Sequence, residues 1–364
     1  MKISDIIRVL EKEAPPSYQE SYDNSGLLVG SPDTELTQAL ICLDSTEEVV
    51  EEAIQKGCNL IIAHHPIVFS GLKKLNGKNY VERTVIKAIQ NNIAIYAIHT
   101  NLDNVHTGVN QKIGEILGLT NLRILSPKKD TLRKLVVFCP ESHAGDLRYA
   151  LCEAGAGNIG NYDQCSFNSP GTGTFRANEG ANPFVGQKGE IHLEPEVRIE
   201  VVFPFPSQGA ILSTLVSKHP YEEVAYDIYA IENKNPLVGS GMVGELEQEM
   251  EEIDFLNQLK SKLGTACIRH TKLLGKKVKK VAFCGGSGSF LLRDAIQSKA
   301  DFFVTGDYKY HDFFDAENRI VIADVGHYES EKYTKELLRD FLMKNIRTFA
   351  PLLSSINTNP VNYF

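Results

Sequence analysis

The sequence predicts an α/β protein in which two related α/β halves form one core and an α+β module of ferredoxin-like order is inserted between them. Three observations lead there. Apolar runs of strand length alternate with segments of helical spacing over residues 1–128 and again beyond about 245, the pattern of a largely parallel sheet covered on both faces. The second stretch repeats the first when residue n is set against n+242. Between them the order changes to strand, helix, strand, strand, helix, strand. The expected boundaries are 1–128 for the first half, 129–236 for the inserted module and 237–364 for the second half.

Taken in order, residues 3–13 have apolar positions at helical spacing and are stopped by Ala14-Pro15-Pro16. The polar, Gly-rich run Tyr22-Asp23-Asn24-Ser25-Gly26 leads into a short strand, and residues 39–43 form a second. Asp44-Ser45-Thr46 offers caps for a helix over 47–57, whose first turn is rich in Glu as the helix dipole prefers. Leu60-Ile61-Ile62-Ala63 is a buried strand that stops on His64-His65-Pro66. A helix over 80–91 and a strand over 93–98 follow, the strand running into His99-Thr100-Asn101-Leu102-Asp103; a helix over 108–118 ends at Gly118.

After Ser126-Pro127-Lys128-Lys129-Asp130, strands are expected at 132–139, 197–202 and 225–231, with helices near 143–154 and 207–218. The stretch 157–189 is too long for an ordinary connection and reads as a functional loop or a hairpin. Asn233-Lys234-Asn235-Pro236 and the Gly-rich 239–244 read as an exit linker. In the repeat, Cys42 falls on Cys284, Ser45 on Ser287, and Ala53-Ile54-Gln55 on Ala295-Ile296-Gln297. The strand at 60–62 then falls on 302–304, and His64-His65 falls on Gly306-Asp307. With a slightly different offset, 93–98 matches 320–325, followed by Gly326-His327-Tyr328-Glu329-Ser330-Glu331.

Composition narrows the function. A net charge of −8 argues against a general nucleic-acid or membrane-surface binder, and Lys276-Lys277-Val278-Lys279-Lys280 reads as a solvated approach to a strand. The seven cysteines are scattered, with no Cys-x-x-Cys pair, which fits a reducing compartment. Met1–Ile7 reads as a helix start without signal-peptide layout, and no apolar stretch approaches a membrane span. A cytoplasmic location is expected.

The chemistry collects at the strand ends, where α/β proteins bind ligands. His64, His65, Asp103, His327 and Glu331 each lie just past a buried apolar run. His327 and Glu331 share a face if a helix starts there. Three imidazoles with two carboxylates suit Zn, Fe, Mn or Co better than Mg or Ca. Five side chains exceed one open catalytic site and fit two ions that share a carboxylate or a water. Neighbouring His64 and His65 point to opposite faces on a regular strand, so they reach one place only where the chain is turning or where two ions are present. His99 is a candidate for orienting a ligand, and Asp307 and His311 for contacting substrate. Gly285-Gly286-Ser287-Gly288-Ser289, between a strand and a helix, suggests backbone N–H groups that cradle an anion, with Gly286 and Ser287 central to it.

Tyr22-Asp23-Asn24-Ser25-Gly26-Leu27, Ala63-His64-His65-Pro66, His99 to Asp103, Thr305-Gly306-Asp307 and Gly326 to Glu331 together resemble the YqfO/YbgI family, which is related to the Ngg-interacting factor and carries the name GTP cyclohydrolase 1 type 2 homologue. The resemblance covers essentially the whole chain. His219-Pro220-Tyr221-Glu222-Glu223-Val224-Ala225-Tyr226-Asp227 resembles the signature of the PII/CutA-like insert of the family's longer members. One departure is Tyr22, where the family commonly has Trp. The resemblance implies a dinuclear site on His64, His65, Asp103, His327 and Glu331, a homohexamer built as a trimer of dimers with its metal sites facing an internal cavity, and a hydrolase of a nucleotide-like substrate, GTP being the named candidate. The alternative is a non-catalytic metal-binding regulator whose insert senses a ligand or partner.

Overall fold

The computed structural model describes all 364 residues, which divide into two compact units, Met1–Pro127 with Pro236–Phe364, and Lys128–Asn235. In the first unit, α1 (Ile3–Glu13) buries Ile3, Ile6 and Leu10, one stripe at helical spacing. Next come β1 (Gly26–Val29), β2 (Ala39–Cys42), α2 (Glu47–Gln55), β3 (Leu60–Ala63), α3 (Tyr80–Gln90) and β4 (Ala94–Ala97). Thr46 caps α2 by accepting from Val49 N, and Asn79 caps α3 by accepting from Glu82 N. A short α4 (Thr100–Asp103) precedes α5 (Val109–Leu117), which ends at Gly118 in the left-handed region at φ 74°. β5 (Leu119–Pro127) closes this stretch.

The second unit contains β6 (Leu132–Pro140), α6 (Glu141–Glu153), β7 (Phe167–Arg176), β8 (Ile191–Pro204), α7 (Gln208–Lys218) and β9 (Tyr226–Ala230). Its sheet has the order β7-β8-β6-β9, every neighbouring pair antiparallel. Alternate residues of β6 and β8 (Leu135, Val137, Cys139, Ile199, Val201 and Phe203) join Leu147, Leu151, Ile211 and Leu215 of the two helices in one core. Of the two readings open for 157–189, the structure has the hairpin: β7 pairs with β8 from Phe167↔Glu200 to Arg176↔Ile191.

The chain returns to the first unit through β10 (Gly239–Glu251), α8 (Glu252–Leu263), β11 (Arg269–His270), β12 (Lys277–Ser287), α9 (Leu292–Gln297), β13 (Phe302–Gly306), β14 (Val321–Asp324), α10 (His327–Glu331), α11 (Thr334–Asn345) and β15 (Leu352–Leu353). The Gly-rich 239–244 is therefore no linker but the start of a central strand paired with both β12 and β5. Its glycines answer to packing. A Cβ on Gly241 would come 2.7 Å from Leu291 Cδ1, and one on Gly244 2.7 Å from Leu122 Cδ2.

Two sheets organise this unit, β1-β4-β3-β2-β15 and β11-β14-β13-β12-β10-β5. Within them β2, β3 and β4 are parallel and adjacent in order, as are β12, β13 and β14, the same arrangement that the sequence repeat links. Edge strands are exchanged: β5 precedes the second unit yet pairs with β10, and β15 pairs with β2. One face of each parallel trio (Ile41, Ile62 and Tyr96; Phe283, Phe302 and Ala323) meets in a shared core with α1, α5, α8 and α11. The opposite faces bury Leu40, Ile61 and Ile95 under α2 and α3, and Ala282, Phe303 and Ile322 beside α9. Burial on both faces explains why these strands read as continuous apolar runs. No helix is long and apolar enough to cross a membrane.

Candidate metal centre

Parallel strands deliver their carboxyl ends to one edge of each sheet, and the polar side chains begin where the strands stop. β3 ends at Ala63, but the ladder continues for two residues, His64 N donating to Cys42 O at 3.3 Å and His65 N to Leu43 O at 2.9 Å. Both rings nonetheless belong to the cluster, with centroids 4.9 Å apart and planes tilted by 46°. They face different partners. His64 Nε2 lies 3.6 Å from Asp103 Oδ1 and 3.9 Å from Glu331 Oε1, whereas His65 Nε2 lies 3.0 Å from Glu331 Oε2 and 3.3 Å from His327 Nε2. His327 Nε2 is also 3.0 Å from Glu331 Oε2, as the four-residue spacing on α10 allows.

Each imidazole is held from behind. Nδ1 of His64 meets the Ile98 carbonyl at 2.8 Å, that of His65 meets Asp44 at 2.7 Å, that of His327 meets Asp307 at 2.7 Å, and that of His99 meets Asp23 at 2.8 Å. A proton on Nδ1 bonded to an acceptor leaves the Nε2 lone pair for the cluster, the way metal-ligating histidines are oriented. Asp23 is itself fixed by Thr100, whose N and Oγ1 both donate to it.

The charges show what the cluster lacks. His327 is pushed up to about 11 by the Glu331 carboxylate, against its burial and with help from Asp307. Burial opposes protonation of His65, but Asp44 and Glu331 outweigh it and push it up to about 10. Burial raises Glu331, yet the imidazoles around it hold it well below the usual carboxylate range. Burial pushes Asp103 up, with Glu331 adding to the effect against His64. His64 Nε2 and Asp103 Oδ1 are buried and have no hydrogen-bond partner. With Nδ1–H committed to Ile98, these two atoms face each other as acceptors. Such a pair is costly to bury, and a cation between them would satisfy both. The donors fall into three groups able to hold a metal: His64 with Asp103 and Glu331, His65 with His327 and Glu331, and His64 with His65 and His99. The residues fit a metal.

Beside the cluster opens a cleft of about 710 Å³, walled by His65, His99 and His327 and by the rings of Phe69, Tyr328 and Tyr363. The chain matches the family described as Duf34/NIF3 (NGG1p interacting factor 3) over residues 1–360. It belongs to that family. Relatives named GTP cyclohydrolase 1 type 2 homolog include one from Halalkalibacterium halodurans, 37% identical over 372 residues with 100% of both chains covered. Another, from Bacillus subtilis, is 39% identical over 98% of this chain and 97% of its own. Among solved structures, the Bacillus cereus protein related to NIF3 superposes with a TM-score of 0.87 at 38% identity, covering 100% of this chain and 99% of that one. Staphylococcus aureus protein SA1388 gives a TM-score of 0.79 at 35% identity with the same coverage.

Within this family member, His64, His65, Asp103, His327 and Glu331 come together with His99, and Asp307 stands behind His327. Two expectations are corrected. The Gly285–Ser289 turn does not present the glycine N–H groups expected to cradle an anion, because all three are taken: Gly285 N donates to Asn110 Oδ1, Gly286 N to Ser330 Oγ and Gly288 N to Thr305 Oγ1. Gly286 instead allows close approach, since at its φ of 62° a Cβ would run into Glu331 Oε1. Ser287 is exposed, in register with Gly306. His311 is not among the residues lining the cleft; it begins a 3-10 turn and stacks on Phe314.

Asp44 and Asp23 were missed as site residues. Asp44 follows β2 and passes as a helix cap, the role that Thr46 fills. Its position at a strand end was the available signal.

Proposed function

We propose that the cluster holds two divalent transition metal ions, Zn, Fe, Mn or Co, and that the chain is a metal-dependent hydrolase of a nucleotide-like substrate, GTP ring opening being the candidate that the relatives' name suggests. The single observation that carries the reading is Glu331, 3% exposed, whose Oε1 turns to His64 while Oε2 lies 3.0 Å from both His65 and His327. One carboxylate serving two donor groups suits a pair of ions. Bound there, such ions supply Lewis acidity and the activation of water at neutral pH.

The chain's own residues do the rest. Asp44, Asp307 and the Ile98 carbonyl hold the imidazoles with Nε2 inward. Phe69 and Tyr328 offer apolar faces on which a planar ring can lie. Of the groups that share Glu331, one contains His64 with Asp103 and the other His65 with His327, which suits two adjacent ligands after one strand. A homohexameric trimer of dimers in the cytoplasm, with metal sites facing an internal cavity, completes the proposal.

The second reading, a metal-binding regulator, draws support from the unit Lys128–Asn235. We read its β-α-β-β-α-β order as a PII/CutA-like module. It contains a cavity of about 610 Å³ walled by Phe175, Phe184 and Tyr221. Elemental analysis with anomalous diffraction tests the metal reading, and fewer than one ion per chain, insensitive to His65→Ala, would sink it. Turnover of a nucleotide panel by metal-loaded wild type, lost in Glu331→Ala, supports the hydrolase. Equal inactivity of the two supports the regulator.

A further inference from the structure

The cleft is completed by the segment that follows β15. β15 joins β2 in parallel, Leu352 beside Leu40 and Leu353 beside Ile41. Chain leaving β15 therefore emerges at the same sheet edge as chain leaving β2, where the histidines stand. Ser354 Oγ and Ser355 Oγ donate to Glu52 at 2.5 and 2.6 Å. Thr358 Oγ1 then donates to Asp44 Oδ2 at 2.5 Å, and Asn359 Nδ2 to Glu329 Oε1 at 3.1 Å. Pro360, Val361 and Tyr363 continue along the cleft wall. The segment is thus tied to the first half through Asp44 and to the second through Glu329.

Asp44 has two oxygens and two partners. Oδ1 stands 2.7 Å from His65 Nδ1 while Oδ2 accepts from Thr358. A carboxylate fixed at one oxygen cannot swing away with the other, so Thr358 holds the group that holds His65. The corresponding task for His64 falls to a backbone carbonyl, Ile98 O at 2.8 Å, which needs no such help. The rings of His64 and His65 are therefore secured by different means, and of the two only His65 depends on the segment after β15.

We propose that Thr358 is a positioning residue of the metal centre: through Asp44 it fixes the imidazole of His65, and so sets how tightly an ion is held by His65, His327 and Glu331 but not by His64 and Asp103. This rests on the two-ion reading above. Partners behind a ligating histidine are typically worth about 10- to 100-fold in metal affinity, and Thr358 stands one bond further back, so the lower end applies.

The test uses the full chain as wild type, Thr358→Val and Thr358→Ser, stripped with chelator and titrated with Zn(II), then with Co(II), whose visible absorption reports the ligand geometry. Thr358→Val is expected to bind one of the two ions about 10-fold more weakly, with the other unchanged and the Co(II) spectrum altered. Thr358→Ser, which keeps the hydroxyl, is expected to restore both. Equal affinities in Thr358→Val and wild type overturn the inference, as does a Thr358→Ser variant as weak as Thr358→Val. A wild type that takes up one ion overturns the two-ion reading alone, because the ratio of variant to wild-type affinity still decides Thr358. A wild type that takes up none overturns both.

Discussion

Nε2 of His65 and Oε2 of Glu331 stand 3.0 Å apart although 266 residues separate them in the chain. Each arrives at the end of a buried parallel strand or on the short helix that follows one. Neither half of the repeat makes this contact alone.

Glu331→Gln keeps the size of the side chain and removes its charge. Because the carboxylate faces both donor groups, the substitution is expected to leave fewer than one ion per chain after dialysis, whereas His64→Ala and His327→Ala each lose one and keep the other. Elemental analysis of the three proteins checks this. Equal metal content in Glu331→Gln and wild type would remove the shared carboxylate from the proposal.

Chelation should also cost stability. Without a cation, the buried His64 Nε2 and Asp103 Oδ1 have no partner, and a ligand present at about 100 times its Kd stabilises by roughly 3 kcal/mol. For a chain of this size, that corresponds to a fall in Tm on the order of 5 °C. Scanning calorimetry with and without chelator measures it; an unchanged Tm in protein known to have released its metal counts against a metal filling that gap.

Gly286→Ala combines a left-handed backbone at φ 62° with a collision at Glu331. The backbone alone costs about 1 kcal/mol, and the displaced carboxylate adds to it. The expected outcome is an unfolding free energy, measured by urea denaturation, lowered by roughly 2 kcal/mol in total, together with weakened metal retention. Retention equal to wild type would show that Glu331 can move aside at no cost to the site.

Glu52 gives a pH signature. Burial raises its carboxyl, but hydrogen bonds from Lys56, Ser354 and Ser355 outweigh that and hold it at about 2 against an ordinary 4.5. A depressed folded value means stability that is fully present above about 4.5 and lost as the pH falls towards 2. After allowance for the partly exposed Lys56, the contribution is about 1–2 kcal/mol. The stability difference between wild type and Glu52→Gln, followed by denaturation across pH, is expected to be constant near neutrality and to shrink below 4.5. A difference that does not vary with pH would remove the charge from the explanation.

Much of this was legible because burial leaves a plain trace. Strands covered on both faces read as apolar runs, and the polar residues that end them (His64, His99, Gly326 and His327) mark one edge of each sheet. The helix spacing that brings His327 and Glu331 together is local and could be read directly. What escaped notice depends on distant partners. Asp44 reads as a cap until His65 is placed beside it, and the Gly-rich start of β10 reads as a linker until Leu122 and Leu291 are seen to press on it. The Gly285–Ser289 turn reads as an anion site until Asn110, Thr305 and Ser330 claim the N–H groups of its three glycines. Exchange of β5 and β15 left no local trace, since edge pairing is decided by the partner strand.

The pairing of β5 with β10 begins at Pro127 opposite Gly239, so the residues on either side of the Lys128–Asn235 unit are already neighbours across a two-stranded ladder. Topologically that unit occupies the place of a hairpin turn. A tight turn of a few residues would span the same gap, so the core does not need the intervening chain in order to pair these strands. The unit has the topology of a cassette: the strand pairing that frames the histidine-bearing edge of the sheets closes without it.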